Sequence, residues 1–453
     1  MTYRQLLSTN PDFRRLWIGQ VISEIGDWLN NIAVLALTIE LAGAGHEGQA
    51  VAFYAIARHL PLFLFGPLAG VVADRVDRRR VMIVADIARA LLALGFLLAN
   101  MTGRLSMIYI AGASLFAVSS FFNSAKRASI PNVVSHTAAL LSANSISAST
   151  TAATIAIGSA LGGLFSTFIG RNAVFVLNAI TFLISAEMIR RVRLVRRTQS
   201  EKESAGRVPS VLNELVDAES TVAKPRLHSA FWKDFREGLR YVRERSVLRV
   251  IFVVGAGWGL GNGVARALYS IFGAQLGIAA AGAVVERPTD FGISVLFIAM
   301  GIGGIMGAPI ARRFNSAKSE SLGSRMGRSM IFDGCGLTLF SLMPTLWTAA
   351  AVLVARELNF AIWWTAQQTI IMIGTEDAFR GRTFASYETV TTLMMVGSML
   401  AAGAAADRFG IRPVAATGGA VIILSGVLWF VLRRSQSPNS RSDTGDSHAP
   451  IYS

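Results

Sequence analysis

The sequence predicts an all-helical protein that crosses a membrane many times, and three observations carry that reading. Hydrophobic residues make up 52% of the 453-residue chain and charged residues only 16%, where a soluble domain carries about 25% charged residues. Mean hydropathy is +0.48. The apolar residues fall in blocks of about 20, the length a helix needs to cross a hydrocarbon layer of ~30 Å. A soluble globule, a disordered chain and a disulfide-stapled secreted domain are thereby excluded.

Twelve spans are expected, at approximately 16–40, 51–73, 81–101, 105–124, 141–166, 172–190, 249–272, 290–311, 328–344, 347–371, 383–406 and 413–432. The first follows Arg14 and Arg15 as a signal peptide would, but it is too long and contains Glu24 and Asp27, so it is expected to be retained. Basic residues fix the orientation. Only Arg104, Arg171, Arg287, Arg408 and Arg412 fall in the loops that follow odd-numbered spans, here the outer loops, and Arg58, Arg89, Arg266 and Arg356 fall inside spans. The rest of the 43 Lys and Arg lie on the other side, which the positive-inside bias makes cytoplasmic, both termini included. The longest hydrophilic stretch divides the spans six and six. The expected domains are a first half over 1–190, a cytoplasmic linker over 191–248, a second half over 249–433 and a disordered cytoplasmic tail over 434–453.

Within the linker, "FWKDFREGLRYVRERSVLR" places Phe231, Phe235, Leu239 and Val242 on one helical face, with Arg236, Arg240 and Arg243 off it. That pattern fits a basic amphipathic helix on the anionic inner leaflet, or equally a solvated linker helix. Asp86, after the basic run Arg78–Arg80, and Asp333, after Arg325 and Arg328, stand just inside spans three and nine. This is a faint internal repeat. Two related six-helix halves place a substrate site between them near the midplane.

The formal net charge of +15 is spread between the apolar blocks rather than gathered in a patch, so no nucleic-acid partner is expected. Cys335 is the single cysteine, and none of the five His forms a ligand-spaced cluster, so neither a disulfide nor a metal site is expected. No cofactor is expected either. The chain contains no G-x-x-x-x-G-K-S/T loop, which argues against an ATP-driven pump. It also contains no H-E-x-x-H or G-x-S-x-G, so two common hydrolytic constellations are missing and no enzyme is expected.

Polar residues inside spans are the candidate functional groups, because an intramembrane charge is costly and normally faces protein or a water-filled cavity. Gln20, Glu24, Asp27 and Asn31 stand at i, i+4, i+7 and i+11 on one stripe of span one. They line a cavity or join span one to a neighbour by hydrogen bonds; two acids on the stripe favour the cavity. Span seven aligns Trp258, Asn262, Arg266 and Tyr269; span ten aligns Arg356, Asn359, Trp363 and Gln367, with Glu357, Trp364 and Gln368 beside them. Tryptophan next to amide and guanidinium suits a large amphipathic substrate. Arg356 either contacts such a substrate or pairs with an acid, while Trp363 and Trp364 read as core. Arg58 either lines a cavity or snorkels. Asp86 and Arg89, one turn apart, are expected to pair. Gly158, Gly162 and Gly163 in span five read as close-packing positions.

The segment "GVVADRVDRRR" resembles the G-x-x-x-D-R-x-G-R-R loop between helices two and three of the major facilitator superfamily. Gly70, Asp74, Arg75, Arg78 and Arg79 match, and Asp77 replaces the usual glycine. That replacement, with "FRRLWIGQVISEIGD", "LPLFLFGPLAG", "DIARA", "NVVSHTAALLSANS" and "EGLRYVRERSVLR", resembles the branch of siderophore exporters and macrolide efflux pumps often called transmembrane secretion effectors. "GAAADRFGIR", Gly403 to Arg412, resembles that branch's close to span eleven. In "GAPIARR", Ala311 stands where the second half's motif would carry aspartate, so that loop is expected to lack a gating role.

The resemblance implies twelve helices in two halves around a central cavity, the major facilitator fold, and a multi-pass protein of the bacterial inner membrane. The Gly70–Arg79 loop, with Asp86 and Arg89 supporting it, would hold the cytoplasmic side closed through charge-assisted hydrogen bonds; its alternative role is to fix topology by charge alone. The expected function is alternating-access export of a small amphipathic molecule of drug, macrolide or siderophore type by a monomer. Protons are the expected coupling ion, because Glu24 and Asp27 are protonatable and poorly solvated. A lipid or lysophospholipid flippase, an ion-independent facilitator, and a non-transporting scaffold or sensor are the alternatives.

Overall fold

A computed structural model describes residues 3–134, 137–193, 227–315, 322–376 and 379–434. The described residues form helices and no strand. Helix α1 (Tyr3–Thr9) is a short foot whose Leu6 is buried, an element the apolar pattern does not announce. The first half then consists of α2 (Pro11–Ala42), α3 (Glu47–Arg75), α4 (Arg78–Thr102), α5 (Leu105–Val133), α6 (Thr137–Phe168) and α7 (Arg171–Arg190). Helix α8 (Leu227–Glu244) leads into the second half: α9 (Ser246–Ala281), α10 (Pro288–Asn315), α11 (Leu322–Leu342), α12 (Leu346–Ile373), α13 (Arg380–Phe409) and α14 (Ile411–Arg434). Ten of these are long and apolar enough to cross a membrane; α6 and α11 are the two long helices outside that set. The linker sequence before Leu227 and the polar tail after Arg434 lie outside the described residues.

Local chemistry sets the helix ends. Asn10 caps α2 by accepting from the Phe13 N–H at 2.9 Å, with Pro11 at the first position, where its missing N–H costs nothing. Asp77, the residue that departs from the usual glycine, caps α4 by accepting from the Arg80 N–H at 3.1 Å. A carboxylate at a helix N-terminus also meets the positive end of the helix dipole, so the departure stabilises α4. Gly103, at φ 64°, ends α4 in the left-handed conformation that glycine adopts without steric cost.

Contacts define two ends of the bundle. At the terminal end, the Arg15 guanidinium donates to Arg191 O at 3.1 Å and Asn10 Nδ2 to Val133 O at 2.7 Å. Trp429 Nε1 donates to Gly323 O at 2.7 Å on the same end of the second half. At the opposite, distal end lie the α2–α3, α6–α7, α9–α10 and α13–α14 connections. Small residues let helices touch: a Cβ on Gly162 would lie 2.8 Å from Leu29 O of α2, and one on Gly163 would lie 2.1 Å from Ser294 Oγ of α10.

Helix α8 docks on protein. Tyr241 and Val242 are buried, Tyr241 stacks on Phe379 at 4.4 Å, and Gly238 sits against Ser386 and Arg382 of α13. The Tyr241 hydroxyl accepts from the Glu376 N–H at 3.0 Å, and Arg382 pairs with Glu237 at 3.3 Å. Part of the face read as lipid-directed or solvated thus covers the second half, while Arg236, Arg240 and Arg243 are exposed.

Candidate functional site: a charged cavity between the halves

A cavity of about 400 Å³ opens between the two halves, walled by α2, α3 and α5 on one side and by α9, α10 and α13 on the other. The span-one stripe faces it as the spacing requires: Gln20, Glu24, Asp27 and Asn31 all line it. Trp28 reaches across to Phe297 of α10, ring centroids 6.0 Å apart.

The two acids differ in their surroundings. Glu24 accepts from Gln20 Nε2 at 2.8 Å and Thr154 Oγ1 at 3.2 Å, and Lys126 Nζ stands 3.6 Å from it. Asp27 has no hydrogen-bond or ion-pair partner among the described residues. Arg58 lines the cavity rather than snorkelling: its guanidinium donates to Asn31 Oδ1 and lies 5.2 Å from the Trp28 ring and 4.9 Å from Phe116. Arg266 enters from α9. Arg89 lines the wall while paired to Asp86 in the same helix and clasped by Phe122 and Phe182 at 3.9 and 4.5 Å.

Four residues expected at the cavity are placed elsewhere. Arg356 is buried inside the second half, where its Nε lies 2.8 Å from Asp333 Oδ1 and its Nη2 lies 3.5 Å from Asn262 Oδ1. Of its two possible roles, pairing prevails, because a buried guanidinium needs a counter-charge. Asn262 and Gln367 are buried with it, and Glu357 packs beside α10 where Gly303 leaves room. None of Asn262, Arg356, Glu357 or Gln367 lines the cavity. Trp363 stacks on Trp258 at 4.3 Å in that same core.

At the distal end, charged groups clamp the halves together. Asp290, fully buried at the start of α10, accepts from Arg171 Nη2 at 2.7 Å and Nε at 3.1 Å, and from Ser166 Oγ. Arg171 also donates to the exposed Glu40 at 2.6 Å, and Arg287 Nη1 donates to Ser166 O at 2.8 Å. Beside this, Asp407 at the end of α13 accepts from the Gly48 and Gln49 N–H groups, the first turn of α3, at 2.7 and 2.9 Å. The backbones meet there: a Cβ on Gly403 would lie 2.4 Å from Gly48 O. Gly403, Asp407 and Arg408 repeat the G-x-x-x-D-R spacing of Gly70, Asp74 and Arg75.

At the terminal end, the first copy of that spacing is disengaged from the second half. The Asp74 side chain is 75% exposed and touches Arg78 of its own loop at 3.6 Å. Arg78 donates to Ala73 O and Ala128 O, and Arg79 to Arg190 O, all within the first half. Arg75 is exposed, and a Cβ on Gly70 would meet nothing within 4 Å.

The cavity lysine and the distal clamp escape sequence reasoning. Lys126 and Arg171 read there only as topology charges, and Asp290 as a span boundary. The D-R spacing at Asp407 stands in the sequence, but its target amides come from 358 and 359 residues away.

The comparisons agree with this architecture. The 453-residue chain is 23% identical to an uncharacterised MFS-type transporter, YfiS of Bacillus subtilis (strain 168), over 443 residues, 94% of each chain. It is 26% identical to BacE of the same organism, named as a bacilysin exporter, over 69% of this chain and 68% of that one. It is 21% identical to macrolide efflux protein A of Streptococcus pyogenes, over 92% and 94%. Among solved structures, a mutant of the nucleoside transporter NupG superposes with a TM-score of 0.67 at 11% identity, covering 93% of this chain and 99% of that one. A peptide transporter POT mutant complexed with alafosfalin gives 0.65 at 12%, covering 96% and 98%. The Major Facilitator Superfamily profile matches residues 16–396, and the chain belongs to that superfamily of membrane transporters.

Proposed function

We propose that the protein is a secondary active exporter of a small amphipathic molecule, acting as a monomer by alternating access and driven by protons. One observation carries the alternation. The same G-x-x-x-D-R element occurs at both ends of the bundle, locked onto the opposite half at the distal end and free of it at the terminal end, with the cavity between. Bistable contacts of this kind are what two rocking halves require. With the basic loops and both termini cytoplasmic, this conformation is closed to the outside and inward-facing. In the outward-facing state Asp74 takes the mirror role and accepts from the first turn of α13. Export as the direction rests on the relatives named for bacilysin export and macrolide efflux.

Asp27 is the proton carrier in this reading. Protonating Glu24 breaks a standing ion pair with Lys126, whereas protonating Asp27 breaks none. Proton binding and facing state are then linked, because each facing state solvates that carboxyl differently. The exposed Arg236, Arg240 and Arg243 of α8 turn toward the anionic inner leaflet, while its apolar side holds the second half.

The test is transport in proteoliposomes by the Glu24→Gln/Asp27→Asn double variant. It should lose uphill, pH-driven transport and keep downhill exchange. Unchanged pH-driven export would show that the span-one acids are structural.

A further inference from the structure

Among the described residues each buried arginine is paired with a carboxylate, and two further arginines of the cavity are not. Arg89 is paired with Asp86, Arg171 with Asp290 at 2.7 Å and Arg356 with Asp333 at 2.8 Å. Arg58 and Arg266, which line the cavity from opposite halves, have no carboxylate within ion-pair distance among the described residues. Glu24 is committed to Lys126, Gln20 and Thr154. The nearest remaining carboxylates are Asp27 on the Arg58 side and Glu357 on the Arg266 side, and neither comes within ion-pair distance. Arg58 is half-buried and Arg266 exposed to the cavity, so both guanidiniums are open to a solute between the halves.

We infer that Arg58 and Arg266 together hold an anionic group of the transported solute, so that the substrate is an amphipathic organic acid rather than a neutral or purely cationic molecule. Guanidinium suits this task, since its planar fork binds a carboxylate or phosphate through paired charge-assisted hydrogen bonds. Arg58 is already oriented for it by Asn31, Trp28 and Phe116. The aromatic wall of Trp28, Phe116, Phe122 and Phe297 takes the apolar body. Because the two arginines belong to different halves, an anion between them also ties solute binding to the relative position of those halves.

The inference rests on the exporter reading and is tested separately from it. The full-length protein in phosphatidylcholine nanodiscs is titrated with matched acid and amide probes, 2-naphthylacetate with 2-naphthylacetamide and the same pair on one- and three-ring aryl frames. On at least one frame the acid should bind roughly tenfold or more tightly than its amide. With an unchanged melting temperature reporting that the variants are folded, Arg58→Gln and Arg266→Gln should each remove most of that advantage. Arg58→Lys should keep part of it. Amides binding as tightly as acids on every frame, or an acid advantage surviving both glutamine variants, overturns the inference and leaves the exporter reading standing. An advantage that disappears when phosphatidylglycerol is added assigns the arginines to a lipid headgroup, and likewise overturns it. Failure of acids and amides alike on all frames counts against both this inference and a solute cavity.

Discussion

Replacing Asp290 by asparagine removes the centre of the distal clamp while keeping its shape. In the present conformation Asp290 is fully buried and receives two guanidinium hydrogen bonds, at 2.7 and 3.1 Å, from an Arg171 side chain that is only 8% exposed. Without the carboxylate, Arg171 keeps Glu40 as its counter-charge, and that side chain is 64% exposed, so solvent screens most of what it offers. Breaking one side of a buried ion pair costs about 3–5 kcal/mol. In the proposed alternation the cost falls on the distally closed state, since opening that end would give both groups to water. At about 1.4 kcal/mol per tenfold, the ratio of open to closed molecules should rise by roughly two to three orders of magnitude. The assay is thiol accessibility. In a Cys335→Ser background, Met300→Cys places a single thiol in the cavity wall. A membrane-impermeant maleimide applied from the outer face should label it slowly in the wild-type background and about a hundredfold faster with Asp290→Asn. An unchanged rate in normally inserted protein would refute the clamp as the element that closes the distal side.

Gly403→Val should act on the same equilibrium by sterics: its Cβ would stand 2.4 Å from Gly48 O, so outside labelling should rise while membrane insertion persists. Equal labelling would mean the α3–α13 contact is incidental. Asp74→Asn should leave insertion intact and slow transport several-fold, since a neutral amide holds the closed terminal side less well; wild-type turnover would reduce the loop to a topology signal. A reporter fused after Arg434 should be active only on the cytoplasmic side, and activity on the outer face would overturn the assigned orientation.

Much of this fold was legible because the bilayer requires long apolar helices, and length and composition reveal those directly. The stripe from Gln20 to Asn31 was legible for a similar reason: helical periodicity fixes which residues share a face. Periodicity does not say which face looks inward to a half and which looks across to the other. Hence Arg356 and Gln367, aligned on span ten, and Asn262 of span seven proved to serve the interior of the second half. The distal clamp was beyond reach for another reason. Arg171 meets Asp290 across 119 residues and Asp407 meets Gly48 across 359, and no local pattern encodes a pairing that only the packed halves create. Arg58 could be placed only once Asn31 and the Trp28 and Phe116 rings were seen around it.

Helices α3 and α13 run antiparallel, and each carries its G-x-x-x-D-R element at its own C-terminal end. Their glycines behave oppositely along the seam: Gly48 and Gly403 are in backbone contact, whereas Gly66, Gly70 and Gly397 face open space. Two helices joined at one end and splayed at the other are not shut at both. In the proposed alternation each latch is therefore strengthened only at the expense of time spent in the opposite state, and turnover should be fastest when the two wells are equally deep. A protein weakened at Asp74 would then be rescued by a matching weakening at Asp407, and over-tightening either end would be as harmful as loosening it.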